Sequence, residues 1–163
     1  MMKKENFINF FFIFFIFFLD RISKLVIISK LSSSGILEYE INSFLSFNLI
    51  WNDGIAFGLF SFDEQFYYNL ISMIIIIVIL IIIYVMIKSK GLEKLGFMMI
   101  LGGSLGNIFD RLFYSSVPDF IDLHFYNFNW FIFNVADIFI TLGVICLIYE
   151  EIFLYKTKNE KKF

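Results

Sequence analysis

The sequence predicts a membrane α-helical protein: four transmembrane helices, a small extracytoplasmic β-sheet or cradle, and an interfacial loop or helix. Three observations predict this class. The chain has 163 residues, of which 60% are hydrophobic and 21% aromatic, well above the roughly 45–50% apolar content of soluble domains. A chain this short buries too little surface to hide such an excess in a globule. The apolar residues also fall into four stretches, at 7–28, 66–87, 92–110 and 131–152, each near the roughly 20 residues a helix needs to cross the hydrocarbon core. The length suits a single integral membrane domain, 1–163.

The first stretch carries Asp20, Arg21 and Lys24 in its apolar run. Lys3 and Lys4 before it resemble the start of a signal peptide, but no A-x-A-like cleavage site follows and the run resumes at Leu25. The second stretch is the most uniformly apolar. The third carries Gly102, Gly103 and Gly106, the small-residue spacing that lets helices approach closely in lipid. Lys3, Lys4, Lys88, Lys90, Lys94, Lys156, Lys158, Lys161 and Lys162 all fall on one side of a four-crossing arrangement. The excess of lysine marks that side as cytoplasmic, so both termini are expected inside.

Two segments then face outward. In the region 32–62, residues 44–51 have strand character, Asn52-Asp53-Gly54 is a turn signal and residues 55–60 follow as a second arm. The segment 111–130 is rich in aromatic residues and is expected to lie at the interface as a loop or helix.

Composition also excludes function classes. Net charge is −2 with no basic stripe, so no nucleic-acid partner is expected. A single cysteine, Cys146, rules out an internal disulfide, and a single histidine, His124, argues against a histidine metal site. No cofactor and no metal are expected.

The informative residues are the polar ones near the bilayer, where a charge costs about 2.5–3.5 kcal/mol on insertion scales. Asp20, Lys24, Asn52, Asn107, Asp110, Arg111, Asp119, Asn134 and Asp137 all map to the outward ends of helices or to the outward segments. Asp20 and Lys24, at i and i+4, share a helix face and can neutralise each other or shape a site. Asn107 and Asp110, like Asn134 and Asp137, place an amide three residues before a carboxylate, stacked on one helix face. For Asn107 and Asp110, helix-end chemistry with Arg111 as counter-ion is the simpler expectation. Asp137 is expected about two turns into the fourth helix, where a lone carboxylate needs a proton or a partner. Asp119 is the candidate partner, although its own segment, Val117-Pro118-Asp119, also suits a turn. Asp122 and His124 are expected to be solvated interfacial residues.

Five motifs, in order, resemble those of the lipoprotein signal peptidase (type II signal peptidase) family. They are Asp20-Arg21-Ile22-Ser23-Lys24, Asn52-Asp53-Gly54-Ile55-Ala56-Phe57, Gly102 to Arg111, Val117-Pro118-Asp119-Phe120 and Phe133-Asn134-Val135-Ala136-Asp137. Pro118 stands where that family often has a second valine, and Phe131 stands where proline is common. The resemblance implies an aspartic endopeptidase of the bacterial cytoplasmic (inner) membrane, with its active site facing outward. Such an enzyme cleaves the signal peptide from prolipoproteins just before a diacylglyceryl-modified cysteine. By motif match Asp119 and Asp137 would be catalytic, and Asn107, Asp110, Arg111, Asn134 and Ala136 would support them. Asp20, Lys24, Asn52, Gly54, Ala56 and Phe57 would bind substrate or shape the site. Membrane lipids and the lipid-modified substrate are the implied partners, and a monomer is expected. The competing functions are a small proton-coupled transporter and a structural membrane subunit. A relay would spread its carboxylates through the membrane depth, whereas a peptidase would bring Asp119 and Asp137 together.

Overall fold

Helix α1, Lys4–Ser34, turns the usual soluble pattern inside out. Asp20 and Lys24 are completely buried, while Phe11 is 66% exposed and Phe10, Phe15, Phe18 and Ile22 share that outer surface. The buried set, Ile13, Ile16, Asp20, Lys24, Ile27 and Leu31, recurs at helical spacing and forms one stripe. A helix that hides ions and displays phenylalanine is built for an apolar solvent. The computed structural model describes residues 4–34, 38–54, 65–125 and 128–155. The predicted second strand arm at 55–60, with Ala56 and Phe57, lies outside the described residues.

The remaining elements, in order, are β1 (Glu38–Asn42), β2 (Leu45–Asn52), α2 (Gln65–Lys88), α3 (Gly91–Tyr114), β3 (Val117–Phe125), β4 (Phe128–Phe133) and α4 (Val135–Tyr149), the last continued by a π-helical segment, Glu150–Tyr155. Helix α1 passes the expected boundary at 28 because no glycine or proline interrupts it before Gly35. Among the described residues, one helix is long and apolar enough to cross a membrane by length and composition, at Tyr68–Lys88 with mean hydropathy 3.5. Helices α1 and α3 carry charged residues within their apolar runs.

Helix α3 is the centre of the bundle and touches α1, α2 and α4. Its glycines make the contacts possible. A Cβ on Gly103 would stand 2.5 Å from the backbone oxygen of Ala136, and one on Gly102 would stand 2.8 Å from Ile16 Cβ. One on Gly106 would collide with the carboxylate of Asp20. The glycine spacing therefore does more than pack helices: at Gly106 it makes room for a charged group.

The sheet is antiparallel with strand order β1-β2-β3-β4. Strand β2 matches the expected strand at 44–51. On one side it pairs with β1 through a tight turn in which Phe44 N–H donates to Asn42 Oδ1 at 2.9 Å. Its other neighbour is β3. The expected interfacial loop or helix at 111–130 is corrected here: α3 runs on to Tyr114, and β3 and β4 form a hairpin. The physical reason is partner choice. Valine, isoleucine and aromatic residues suit a pleated surface, and β2 offers them an open edge to pair with. Pro118 is tolerated because the β3–β4 ladder begins only at Ile121, so one edge of β3 has no ladder partner at Pro118. The expected start of the fourth helix at 131 is also corrected, since Phe131 to Phe133 belong to β4.

The end of α3 and the start of α4 adjoin the sheet at one end of the bundle, and the short α2–α3 turn, with Lys88 and Lys90 and with Lys94 just inside α3, lies at the other. We expect Gly103→Ala to destabilise the bundle by about 1–3 kcal/mol, because a helix backbone has to move to admit the methyl group. A clear drop in melting temperature in detergent checks this, against a near-neutral Leu112→Ala on the exposed face. A melting temperature unchanged by Gly103→Ala would contradict the close approach.

Candidate active site

The site begins with an ion cluster between α1 and α3. Lys24 Nζ lies 2.8 Å from Asp20 Oδ2 and 2.7 Å from Asp110 Oδ2, and donates to Asn107 Oδ1 at 2.9 Å. Arg21 pairs with the other oxygen of Asp110 and lies over the Phe109 ring. Two cations and two carboxylates balance, and that balance lets them stay buried. Asp20 reaches a third helix as well, since its Oδ1 accepts the Ala136 N–H at 2.9 Å. Ala136 is fully buried, with its carbonyl facing Gly103, which explains why a small residue stands there.

The expected pairing of Asp110 with Arg111 is corrected. Adjacent residues on a helix do not face each other. Asp110 turns to α1, and Arg111 turns away to donate to the carbonyl oxygen of Gly54 at 2.9 Å. Tyr68 fixes α2 to the same place by donating to the Arg111 carbonyl at 3.2 Å. Sequence reasoning had no role for Arg21 or Tyr68. The spacing of Arg21 beside Lys24 offered a signal for the first, and nothing local pointed to the second.

Asn107 links this cluster to α4, donating through Nδ2 to Asp137 Oδ1 at 2.8 Å. Asp137 is not two turns into its helix, as expected, because α4 starts at Val135. It is the third helical residue, and Asn134 caps the helix in an extended conformation, φ −125° and ψ 179°. The two form a reciprocal capping box. Asp137 N–H donates to Asn134 Oδ1 at 3.1 Å, and Asn134 N–H donates to Asp137 Oδ2 at 3.1 Å. The helix N-terminus adds a favourable field for a carboxylate.

The second role of Asn134 draws the site together. Its Nδ2 donates to Asp119 Oδ1 at 2.6 Å while its backbone N–H donates to Asp137 Oδ2, so one residue touches both candidate carboxylates. Asp119 Oδ2 accepts from Asn52 Nδ2 at 2.9 Å, and Asn52 Oδ1 accepts the Gly54 N–H at 3.0 Å in a turn. Asp119 stands on β3, opposite Ile50 of β2. Burial pushes its carboxyl up to about 6, the charge of Asp137 adds to this, and the amides of Asn52 and Asn134 oppose it.

Of the residues singled out in the sequence, Asp20, Lys24, Asn52, Gly54, Asn107, Asp110, Arg111, Asp119, Asn134, Ala136 and Asp137 form one connected network. Asp122 and His124 lie further along β3, opposite Ser46 of β2 and Asn129 of β4 respectively. Beside Asp137 opens an apolar cleft of about 290 Å³ between α4 and the sheet, lined by Leu123, Phe131, Phe133, Ile138, Thr141 and Leu142.

A helical bundle with an apolar exterior, and two carboxylates gathered by amides beside a cleft, defines a class: a membrane protein with the means for acid–base chemistry at one end. Comparison with known proteins makes this specific. The chain matches the family model described as Signal peptidase (SPase) II over residues 12–153, and it belongs to that family. It is 46% identical over 159 residues to the lipoprotein signal peptidase of Pelagibacter ubique (strain HTCC1062), covering 98% of this chain and 96% of that protein. It is 38% identical over 143 residues to the lipoprotein signal peptidase of Rickettsia felis, covering 86% and 71%. A solved structure described as a bacterial membrane enzyme, obtained by the in meso method, shares the fold with a TM-score of 0.74 at 26% identity, covering 95% of this chain and 92% of that one. The chain is a membrane protease, and the transporter and structural-subunit alternatives fall.

The raised carboxyl of Asp119 predicts a pH effect on stability. Folding holds the proton more tightly than the unfolded chain does, so the stabilisation is complete below about pH 4 and is lost as pH rises through about 6. Melting temperature in detergent is expected to fall between these values, and to fall less in Asp119→Asn. Equal slopes in the two proteins would contradict the burial of an ionisable Asp119.

Proposed function

We propose that this chain removes the signal peptide from prolipoproteins, cutting before a diacylglyceryl-modified cysteine, with Asp119 and Asp137 as its catalytic pair. One observation carries the assignment of the pair: Asn134 hydrogen-bonds to both carboxylates, one through its side-chain NH2 and the other through the capping box. Two carboxylates held this close share a proton, because both cannot ionise cheaply. One member draws a proton from water, and the water attacks the scissile carbonyl. The other supplies a proton to the carbonyl oxygen.

Four crossings, with both termini cytoplasmic and the site facing outward, fit the lysines at the α2–α3 turn and the carboxylates at the opposite end. That orientation puts the pair in the outer leaflet of the cytoplasmic membrane. The two acyl chains of the substrate hold its cysteine at that depth. The apolar cleft beside Asp137 offers a place for an apolar part of the substrate. Buried groups from all four helices complete the site within one chain, which supports a monomer surrounded by lipid. Asn107, Asp110, Arg111, Asn134 and Ala136 position the pair, and Asp20, Lys24, Asn52 and Gly54 shape the site.

Asp119→Asn and Asp137→Asn are each expected to lower cleavage of a diacylglyceryl-modified substrate by at least about 100-fold, while the protein still inserts in the membrane. Purified protein in lipid nanodiscs, assayed against such a peptide, tests this. Full activity in either variant would remove that residue from the pair.

A further inference from the structure

The orientation of three amides divides the labour within the pair, an inference that rests on the peptidase assignment above. An asparagine presents oxygen on one side and NH2 on the other, and a partner that can only donate fixes which way it faces. Lys24 has only donors, so Asn107 turns its oxygen to Lys24 and its NH2 to Asp137. The Asp137 N–H fixes Asn134 with its NH2 on Asp119, and the Gly54 N–H fixes Asn52 in the same sense.

The two carboxylates nevertheless meet different surroundings. Asp137 lies in the first turn of α4, receives a backbone N–H from Asn134, and is joined through one amide to the Lys24 ammonium. Asp119 lies on a strand, with two neutral amides as its hydrogen-bond partners. Among the described residues the charged groups around Asp137 are Asp20 and Lys24 from α1, Arg111 from α3 and Asp119 from β3. Asp20 is bound to Lys24, and Arg111 acts on both members of the pair, which leaves the helix terminus and the backbone N–H of Asn134 as the support that Asp137 has and Asp119 lacks.

We propose that Asp137 is the ionised member that takes the proton from water, that Asp119 carries the proton, and that Lys24 sets this division by holding Asn107. Water gives a proton to Asp137 as its oxygen bonds to the scissile carbonyl carbon, and Asp119 protonates the carbonyl oxygen, leaving a diol. Asp119 then takes back a hydroxyl proton while Asp137 passes its proton to the amide nitrogen. The C–N bond breaks to give a carboxyl group and the free amine of the lipid-modified cysteine, and the pair returns to its starting state. Lys24 and Asn107 act as positioning residues and touch no reacting atom.

Paired variants test the division in the full chain, through the pH dependence of kcat/KM for a diacylglyceryl-modified peptide in nanodiscs. Removing a donor from a carboxylate makes it harder to ionise. Asn107→Ala leaves the Lys24 ion pairs in place and is expected to move the acidic limb up by about one pH unit, leaving the basic limb fixed. Asn52→Ala touches only Asp119 of the pair, besides releasing the Gly54 N–H, and is expected to move the basic limb up, leaving the acidic limb fixed. The opposite assignment of limbs overturns the division. Lower activity with both limbs unmoved overturns it too, since that marks a purely structural role. Failure of the pair itself is a separate result, read from activity retained in Asp119→Asn or Asp137→Asn.

Discussion

A lysine ammonium buried among helices constrains everything else in this molecule. Lys24 sits where water cannot reach, in a bundle whose outer surface is hydrocarbon. It has to find its compensation inside the chain. Asp20 supplies part of that from the same helix, and Asp110 and Asn107 supply the rest from α3. Because Asp20 also accepts the Ala136 N–H, a single charge fixes the relative positions of α1, α3 and α4. Taking away one partner of such a cluster leaves an uncompensated charge, at a cost of about 3–5 kcal/mol. Gly106 belongs to the same constraint, because any side chain there would displace the Asp20 carboxylate.

From that anchor, direction passes outward through amides. Each of Asn107, Asn134 and Asn52 has one partner that admits a single orientation, and each shows its NH2 to a carboxylate of the proposed pair. The donors are therefore in place before substrate arrives. Groups held this way need little reorganisation when charge shifts during reaction, which is where preorganised polar sites gain their effect. The same rigidity explains why three of the supporting residues are asparagine. A carboxylate in any of these places would face another carboxylate, and an apolar residue would leave it without a donor.

Much of this could be read from the sequence, for a physical reason. Apolar run length is a strong signal, so α2 lies within one residue of its expected bounds. Charges in an apolar run are costly enough to be informative, so Asp20, Lys24, Asp110 and Asp137 stood out. What failed depends on partners distant along the chain. Asp110 looked paired with Arg111 because they are neighbours, yet its cations are 86 and 89 residues away. The aromatic segment at 117–133 carried no sign of the strand edge that would order it. Starting the fourth helix at Phe131 rather than Val135 hid the capping box, and made Asp137 look stranded in the bilayer when it is a helix N-terminal residue.

The sheet bears on the membrane level of the proposed carboxylate pair. Among the described residues β1 and β4 are the edge strands of the sheet, and a sheet edge is poorly suited to hydrocarbon, where each unpaired backbone group would cost several kcal/mol. The sheet end of the bundle therefore suits the aqueous interface. Asp119 is part of that sheet, while Asp137 is part of helix α4 of the bundle. The capping box and Asn134 are the seam between the two environments. A site placed there has water within reach for hydrolysis, together with an apolar cleft that continues down α4 past Ile138 and Leu142. In the proposed reaction a substrate held by acyl chains in the lipid presents its peptide bond at the same level, so neither partner has to leave its own phase for the bond to be cut.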